Sequence, residues 1–398
     1  MKSHRPVRAR NASTQTAEIA EAPRSRSPRQ PRRQVVIWSA RNRRSPDGHE
    51  ARTRAEIARR LAGLAGFEYA GEHDPGTSYA NRPYFLPSDT LTSATAARLG
   101  IRDADDLYGG VVPAAFVATK TITHPRVDSG ARAPPGWSDE FPQRVAKSVL
   151  CGYSAFARSD ALRAGRRLLE AGPVRVKLAS GIAGIGQWVA KDGAELAAVI
   201  DEISDDELAS SGVVIEENLA DVITHSVGQV RVPGMSATYC GAQRLTTNNR
   251  GSDVYGGSEL CVVRGGFAAL LGLGLADDVR LAIAQALAYD DAAVRCFPGY
   301  FASRRNYDVA QGTDGKGCRR CGVLEQSWRA GGATGAEIAA LEAFQSDATL
   351  QVVRAVSHES YGEPATLPDS AAVYFSGIDP SVGALTKYAF VEPYDDAR

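Results

Sequence analysis

The sequence predicts a mixed α/β and α+β protein, with a small Rossmann-like N-terminal α/β domain ahead of a denser region of strands and helices. Three observations predict it. The apolar run Gln34–Trp38 (QVVIW) is followed by helical spacing over Glu50–Ala65 and a second short apolar run at Phe67–Ala70, the strand–helix–strand order of a parallel sheet. Apolar residues are 43% and charged residues 23% of 398, the balance of a chain that folds around a core. From Pro173 onward short apolar strands alternate with amphipathic stretches, with no repeat of 20–50 residues.

Residues 1–33 carry nine Lys/Arg, two Asp/Glu and almost no bulky apolar side chain, so they predict a disordered basic extension. Residues 34–123 form the α/β domain, with loop character and then helix signals over Pro83–Ala96 and a strand over Val111–Thr119 (VVPAAFVAT). Four prolines mark 124–142 as a linker, on which Trp137 and Phe141 suggest docking. Helices are expected at Ser159–Ala171, Ala194–Ile203, Ala276–Ala293 and Ala336–Phe344. Strands are expected at Pro173–Leu178, Gln187–Ala190, Gly212–Glu216, Asp221–Val232, Ser236–Arg244, Glu259–Val263, Asn306–Gln311 and Gly322–Trp328. The pattern divides this part at 143–212 and 213–350 and is silent over 351–398.

The charge arithmetic excludes several classes. The 46 basic and 46 acidic residues cancel, which argues against nucleic-acid or membrane binding by the whole molecule. The longest weakly polar stretch, Gly265–Ala276, is far short of the ~20 residues of a membrane span. Six sparse cysteines and an Arg/Pro-rich start without an apolar core point to a reducing, cytoplasmic compartment. Cys318 and Cys321 lack a second ligand pair at zinc spacing and read as incidental thiols, with a redox pair favoured by the intervening Arg319 and Arg320 as the alternative. Gly312–Gly317 (GTDGKG) has the wrong spacing for a P-loop, no dinucleotide fingerprint follows the first strand, and no Gly-x-Ser-x-Gly elbow is present.

Three segments carry candidate chemistry. In Val174–Trp188 (VRVKLASGIAGIGQW), Lys177 ends a strand and Gly181, Gly184 and Gly186 form a loop whose backbone N–H groups can approach a phosphate. A hairpin with a solvent-facing lysine would look the same. In Val213–Leu219 (VVIEENL), Glu216 and Glu217 end an apolar strand and point to opposite faces. Arg305–Gln311 (RNYDVAQ) and Gly322–Arg329 (GVLEQSWR) read as paired strands on which Asp308 and Glu325 face each other. Two close carboxylates are costly unless they share a proton or a metal, and such oxygens suit Mg²⁺, with Ser327 as a third donor. Arg305, Arg329, Asn306 and the Gly-rich turn Ala330–Gly335 crowd the same segment.

In this order, VRVKLASGIAGIG, VVIEENL, RNYDVAQ and VLEQSWRAGG resemble the motifs of the ATP-grasp superfamily. The resemblance spans roughly 150–350. It implies a two-lobed ATP-grasp domain after the Rossmann-like one, with ATP and Mg²⁺ as cofactors. It implies Lys177, Gly181, Gly184, Gly186, Glu216 and Glu217 on the nucleotide, Asp308, Glu325 and Ser327 on the metal, and Arg305 or Arg329 on the developing charge, Arg304 being the other arginine near the Asp strand. The implied activity is ligation of a carboxylate to an amine or thiol through an acyl phosphate, on small-molecule substrates. Ser327 departs from the family pattern, which has Asn two residues after the metal Glu. That departure leaves open a nucleotide-binding scaffold with reduced catalysis. From another class, a structural protein with a polyanion-binding tail also stays open.

Overall fold

The computed structural model describes residues 1–3, 32–40, 48–179, 181, 186–362 and 366–394. The chain divides into Met1–Pro31 and a unit spanning Arg32–Arg398, which is the one described below. Most of the basic extension expected at 1–33, and Gly184, lie outside the described residues.

The unit begins as expected. β1 (Gln34–Trp38) leads through α1 (His49–Ala65) to β2 (Glu68–Glu72), and β3 (Tyr84–Pro87) completes a parallel sheet in the order β2-β1-β3. α1 buries Ile57, Leu61 and Leu64 and stops at Gly66, whose φ of +67° lets its N–H reach the carbonyls of Ala62 and Gly63. β4 (Leu91–Thr92) leads into α2 (Ser93–Leu99), capped by the Thr92 side chain accepting from the Thr95 N–H. β5 (Gly110–Val112) is much shorter than the strand expected over Val111–Thr119. Pro113 has no N–H to extend the ladder, and the chain tightens into a 3-10 turn at Ala115–Ala118. The Pro-rich stretch after it is packed: Val127 and Ala131 are buried, Trp137 stacks on Phe116, and Phe141 of α3 (Glu140–Val145) is fully buried.

A four-stranded antiparallel sheet follows. Its elements are β6 (Gly152–Ala155), α4 (Arg158–Leu169), β7 (Val174–Leu178), β8 (Gln187–Ala190), α5 (Gly193–Asp201), α6 (Asp205–Ser210) and β9 (Val213–Glu217), with strands in the order β6-β9-β7-β8. Val174, Val176, Val213 and Ile215 alternate inward against Ala161, Ala164 and Leu168 of α4 and Leu196 and Ile200 of α5.

The rest of the unit is built on an eight-stranded antiparallel sheet. In chain order come β10 (Ala220–Val232), β11 (Met235–Thr247), β12 (Asp253–Arg264), α7 (Phe267–Leu271), α8 (Asp277–Cys296), β13 (Phe301–Ala302), β14 (Arg304–Thr313), β15 (Arg319–Ser327), α9 (Thr334–Ser346), β16 (Val352–Tyr361), β17 (Ala372–Asp379) and β18 (Gly383–Pro393). The strand order is β15-β14-β10-β11-β12-β16-β18-β17, while β13 pairs with β5 of the α/β part. The C-terminal stretch on which the sequence was silent therefore supplies three strands. α8 covers one face over Val227, Cys240, Tyr307 and Val309, and α9 with α1 covers the other over Val230, Tyr239, Leu260 and Val262. Val149 bridges Val323, and the Val323 N–H reaches the Ser148 carbonyl at 2.8 Å, so the smaller sheet starts against the edge of the larger one. No helix of the described residues is long and apolar enough to cross a membrane.

Candidate functional site

The two sheets bring charged side chains together at their junction. On the smaller sheet, β7 and β9 pair antiparallel, and alternation turns Lys177 and Glu216 to the face opposite α4 and α5. Both are buried, at 3% and 1% exposure, and the Lys177 ammonium is in direct contact with Glu216 Oε1. The other oxygen, Oε2, lies 3.1 Å from Nε2 of the buried His124. The His124 ring lies against Gly152, where a Cβ would come within 2.8 Å of it, so β6 needs its glycine there. Burial pushes the Lys177 pKa down, with Glu216 opposing. Burial alone would raise Glu216, but the Lys177 charge and the His124 contact hold it down at about 2.

On the larger sheet, β14 and β15 pair so that Asp308 faces Glu325 and Asn306 faces Ser327. Burial, then the Glu325 charge, push Asp308 up to about 6, against hydrogen bonds from Gln243 Nε2 (2.8 Å) and Asn306 Nδ2 (2.9 Å) to its Oδ1. Lys120 joins the two halves. Its Nζ lies 2.7 Å from Glu325 Oε2 and donates to the Gly181 carbonyl at 2.8 Å, although the side chain is only 4% exposed. Lys120 and Glu325 both act electrostatically on Lys177, so the two lysines and the facing acids form one charge cluster.

A second buried network lies behind the acids. Glu337 of α9 is fully buried and accepts from Tyr108 Oη (2.5 Å), Tyr239 Oη (2.5 Å) and Arg304 Nη2 (2.7 Å). Burial would raise Glu337, but Arg304 and these hydrogen bonds bring its pKa below the usual value. Tyr239 Oη is also 2.9 Å from Asn306 Oδ1. Arg304 Nη1 reaches the Ser327 carbonyl (3.0 Å), Ser327 Oγ (3.3 Å) and the Arg329 carbonyl (2.5 Å).

The sequence-derived site residues are placed as follows. Lys177, Glu216, Asp308 and Glu325 converge, and Gly181 joins them through its carbonyl. Gly186, at φ +75°, closes the loop by accepting from the Leu178 N–H. Glu217 diverges from Glu216, as the pleat requires, to accept from the Cys151 N–H (2.9 Å) and Arg320 Nη2 (2.9 Å). Arg329 lies beside Asp89, with Nε 3.8 Å from Oδ1. Arg305 is a correction: on the alternate face of β14 it points under α8, where Asp290 accepts from Arg305 Nη1 (3.0 Å) and Tyr307 Oη (2.5 Å). The arginine on the acids' face is Arg304. Ser327 shares that face, but its hydroxyl accepts from Arg304. Sequence reasoning missed Lys120 and His124, whose only signal was two basic side chains inside the otherwise apolar and hydroxylated run Val117–His124 (VATKTITH). It also missed Tyr239, Gln243 and Glu337, which carry no local motif.

A family model described as "Protein of unknown function (DUF3182)" matches residues 37–389, the span that holds all of these residues. The chain belongs to this family. No curated protein matches the sequence. Among solved structures it is similar to N5-carboxyaminoimidazole synthetase from Staphylococcus aureus in complex with ADP (12% identity, 90% of this chain and 93% of that chain, TM-score 0.48). It is also similar to biotin carboxylase from Campylobacter jejuni (12% identity, 91% and 88%, TM-score 0.49), and to phosphoribosylamine–glycine ligase from Thermotoga maritima (14% identity, 91% and 92%, TM-score 0.48). The first two are ATP-grasp enzymes.

The acids fit a divalent cation of the hard, oxygen-seeking kind. Asp308 and Glu325 are half-buried and face each other across the β14–β15 ladder, an arrangement of carboxyl groups that a cation relieves. Among the described residues no group of three or more His, Cys, Asp or Glu forms a protein-only cage. Two facing acids match Mg²⁺, which binds one or two carboxylates and completes its shell with waters and phosphate oxygens.

Proposed function

We propose that the protein is an ATP- and Mg²⁺-dependent ligase that joins a small-molecule carboxylate to an amine or thiol through an acyl phosphate. The observation that carries this reading is the meeting of Lys177 and Lys120 with Asp308 and Glu325 where the two sheets abut. Two buried ammonium groups beside two carboxylates are the charge pattern of a polyphosphate–cation site.

In this reading Lys177 and Lys120 bind phosphate oxygens as point charges, and the glycine loop after Lys177 offers backbone N–H groups to the same anion. Glu216, fixed by His124, holds the Lys177 ammonium in line, which spares it an unpaired burial. Glu217 and the strand end after it border the nucleoside. Asp308 and Glu325 hold Mg²⁺, which when bound neutralises charge on the transferring phosphoryl group. Arg329, outside the Arg304 network by its side chain, is placed to meet charge on the carboxylate undergoing phosphorylation. The α/β part, whose Asp89 lies beside Arg329, borders the acceptor.

The test is ADP release from ATP and Mg²⁺ across a panel of carboxylates with ammonia, amines or thiols, with hydroxylamine trapping the acyl phosphate. Lys177→Ala and Glu325→Gln should each lower turnover by roughly 10²-fold or more, the scale of losing one preorganised electrostatic partner. ATP binding in wild type without ADP release from any carboxylate would favour the nucleotide-binding scaffold, the reading that the engaged Ser327 hydroxyl supports. Absence of ATP binding would end both readings.

A further inference from the structure

The hydrogen bonds behind Asp308 contain a proton conflict. Tyr239 has one hydroxyl proton and two acceptors beside it, Glu337 Oε1 at 2.5 Å and Asn306 Oδ1 at 2.9 Å. The proton belongs to Glu337. That contact is the shorter, its acceptor is charged and paired with Arg304, and two oxygens 2.5 Å apart with no proton between them would repel. Asn306 then presents an oxygen to an oxygen that has nothing left to donate.

A half-turn of the Asn306 amide moves the oxygen–oxygen contact from Tyr239 to Asp308. The carboxamide O and N are nearly isosteric, and their placement is decided by the partners around them. Turned over, the NH₂ donates to Tyr239 Oη, and the hydroxyl both donates to Glu337 and accepts from Asn306. The turn also brings the Asn306 oxygen to the position 2.9 Å from Asp308 Oδ1, across the ladder from Glu325 and Ser327. Oxygens facing at that distance call for a positive charge on the open side of the pair. Ser327 Oγ, on the same face, accepts from Arg304 Nη1 at 3.3 Å.

We infer that Asn306 supplies an amide oxygen to the divalent cation held by Asp308 and Glu325, with Tyr239 and Glu337 as positioning residues that set the amide. The inference rests on reading those two acids as cation ligands. It places the amide that the sequence lacks at Ser327 directly across the ladder, on the neighbouring strand. An uncharged amide oxygen beside two carboxylates is an ordinary donor for a hard cation.

Exchanging the ligand atom tests this. Mg²⁺ and Cd²⁺ are titrated into full-length protein with saturating ADP, and the binding heat of Asp308→Asn is subtracted as the background from the free cysteines. Asn306→Cys should lower Mg²⁺ affinity roughly tenfold or more and leave Cd²⁺ affinity unchanged or higher, because thiolate ligands favour the softer ion. Tyr239→Phe, which takes away the acceptor for the amide NH₂, should lower Mg²⁺ affinity without altering the Cd²⁺ preference of Asn306→Cys. Unchanged Mg²⁺ affinity in a folded Asn306→Cys variant, or an equal loss for both ions, would overturn the inference and leave the two-acid site standing. No Mg²⁺ binding above the Asp308→Asn background in wild type would overturn it together with the reading it rests on.

Discussion

Glu216 is a buried carboxylate and Asp308 a half-buried one, and their surroundings push them in opposite directions. Glu216 is held down at about 2 against burial by Lys177 and His124, so the stability it contributes is present above its ordinary range and is lost as pH falls through about 2. Asp308 is pushed up to about 6 by burial and by Glu325. Its contribution has the other sign: it is full below the ordinary carboxylate range and is lost as pH rises through about 6. One pKa unit corresponds to ~1.4 kcal/mol, so the cation-free protein should lose on the order of 3 kcal/mol through this group between pH 4 and 8. Asp308→Asn should abolish that slope and make the cation-free protein more stable than wild type at pH 8, with little difference at pH 4.5. Urea midpoints at the two pH values, measured with a chelator present, check it. Added Mg²⁺ should stabilise wild type at pH 8 and leave the variant unmoved. A wild-type slope equal to that of the variant would mean that Asp308 is already charged without cost.

At the scale of elements, periodicity and turn chemistry made much of the fold legible. β1, β8 and α1 fall within a residue of their expected bounds, and the long strands of the large sheet were found with their ends extended. Local signals failed where a single residue overrode them, as Pro113 did in ending β5, and where short strands such as β3 and β6 carry too few residues for alternation to show. The site was half legible. Lys177, Glu216, Asp308 and Glu325 sit in glycine-rich or strand-end contexts that sequence alone marks out, and strand pairing brought Asp308 opposite Glu325. Arg305 misled because neighbouring arginines on one strand face opposite ways, and only the sheet's neighbours decide which is inward. Lys120 and Glu337 were invisible because their partners lie far along the chain, at Glu325 and at Tyr108, Tyr239 and Arg304. Glu337 also tests what α9 contributes. Removing one partner of a buried pair leaves the other charge uncompensated, so Glu337→Gln should cost ~3–5 kcal/mol in a urea melt, whereas Glu337→Leu combined with Arg304→Met should cost clearly less. Equal losses would mean that the hydrogen bonds to Ser327, Arg329 and the two tyrosines, rather than the ion pair, hold α9 to the sheet.

At the scale of the whole molecule, the charges that meet at the junction come from segments with little else in common. Lys120 and His124 lie on the strap after the α/β part, Lys177 and Glu216 on the four-stranded sheet, and Asp308 and Glu325 on the eight-stranded one. Each lysine is paired with an acid, Lys177 with Glu216 and Lys120 with Glu325. On the proposed reading, a cation on Glu325 would displace the Lys120 ammonium by repulsion, and a phosphate beside Lys120 would give that ammonium a new partner. Cation and nucleotide should therefore bind with positive coupling, each tighter in the presence of the other. Calorimetry checks this directly: the affinity for ADP should rise with Mg²⁺, and the affinity for Mg²⁺ should rise with ADP by the same factor, as linkage requires. A ligand held at 100 times its dissociation constant should add ~2.7 kcal/mol to the unfolding free energy. Because the ligand would bridge two sheets, amide exchange should slow in β7 and β9 and in β14 and β15 together. Lys120→Met removes the ammonium that is exchanged, so it should tighten Mg²⁺ alone while weakening ADP. If that variant weakened both, Lys120 would be a fixed support of Glu325 and not a charge that changes partners when the site fills.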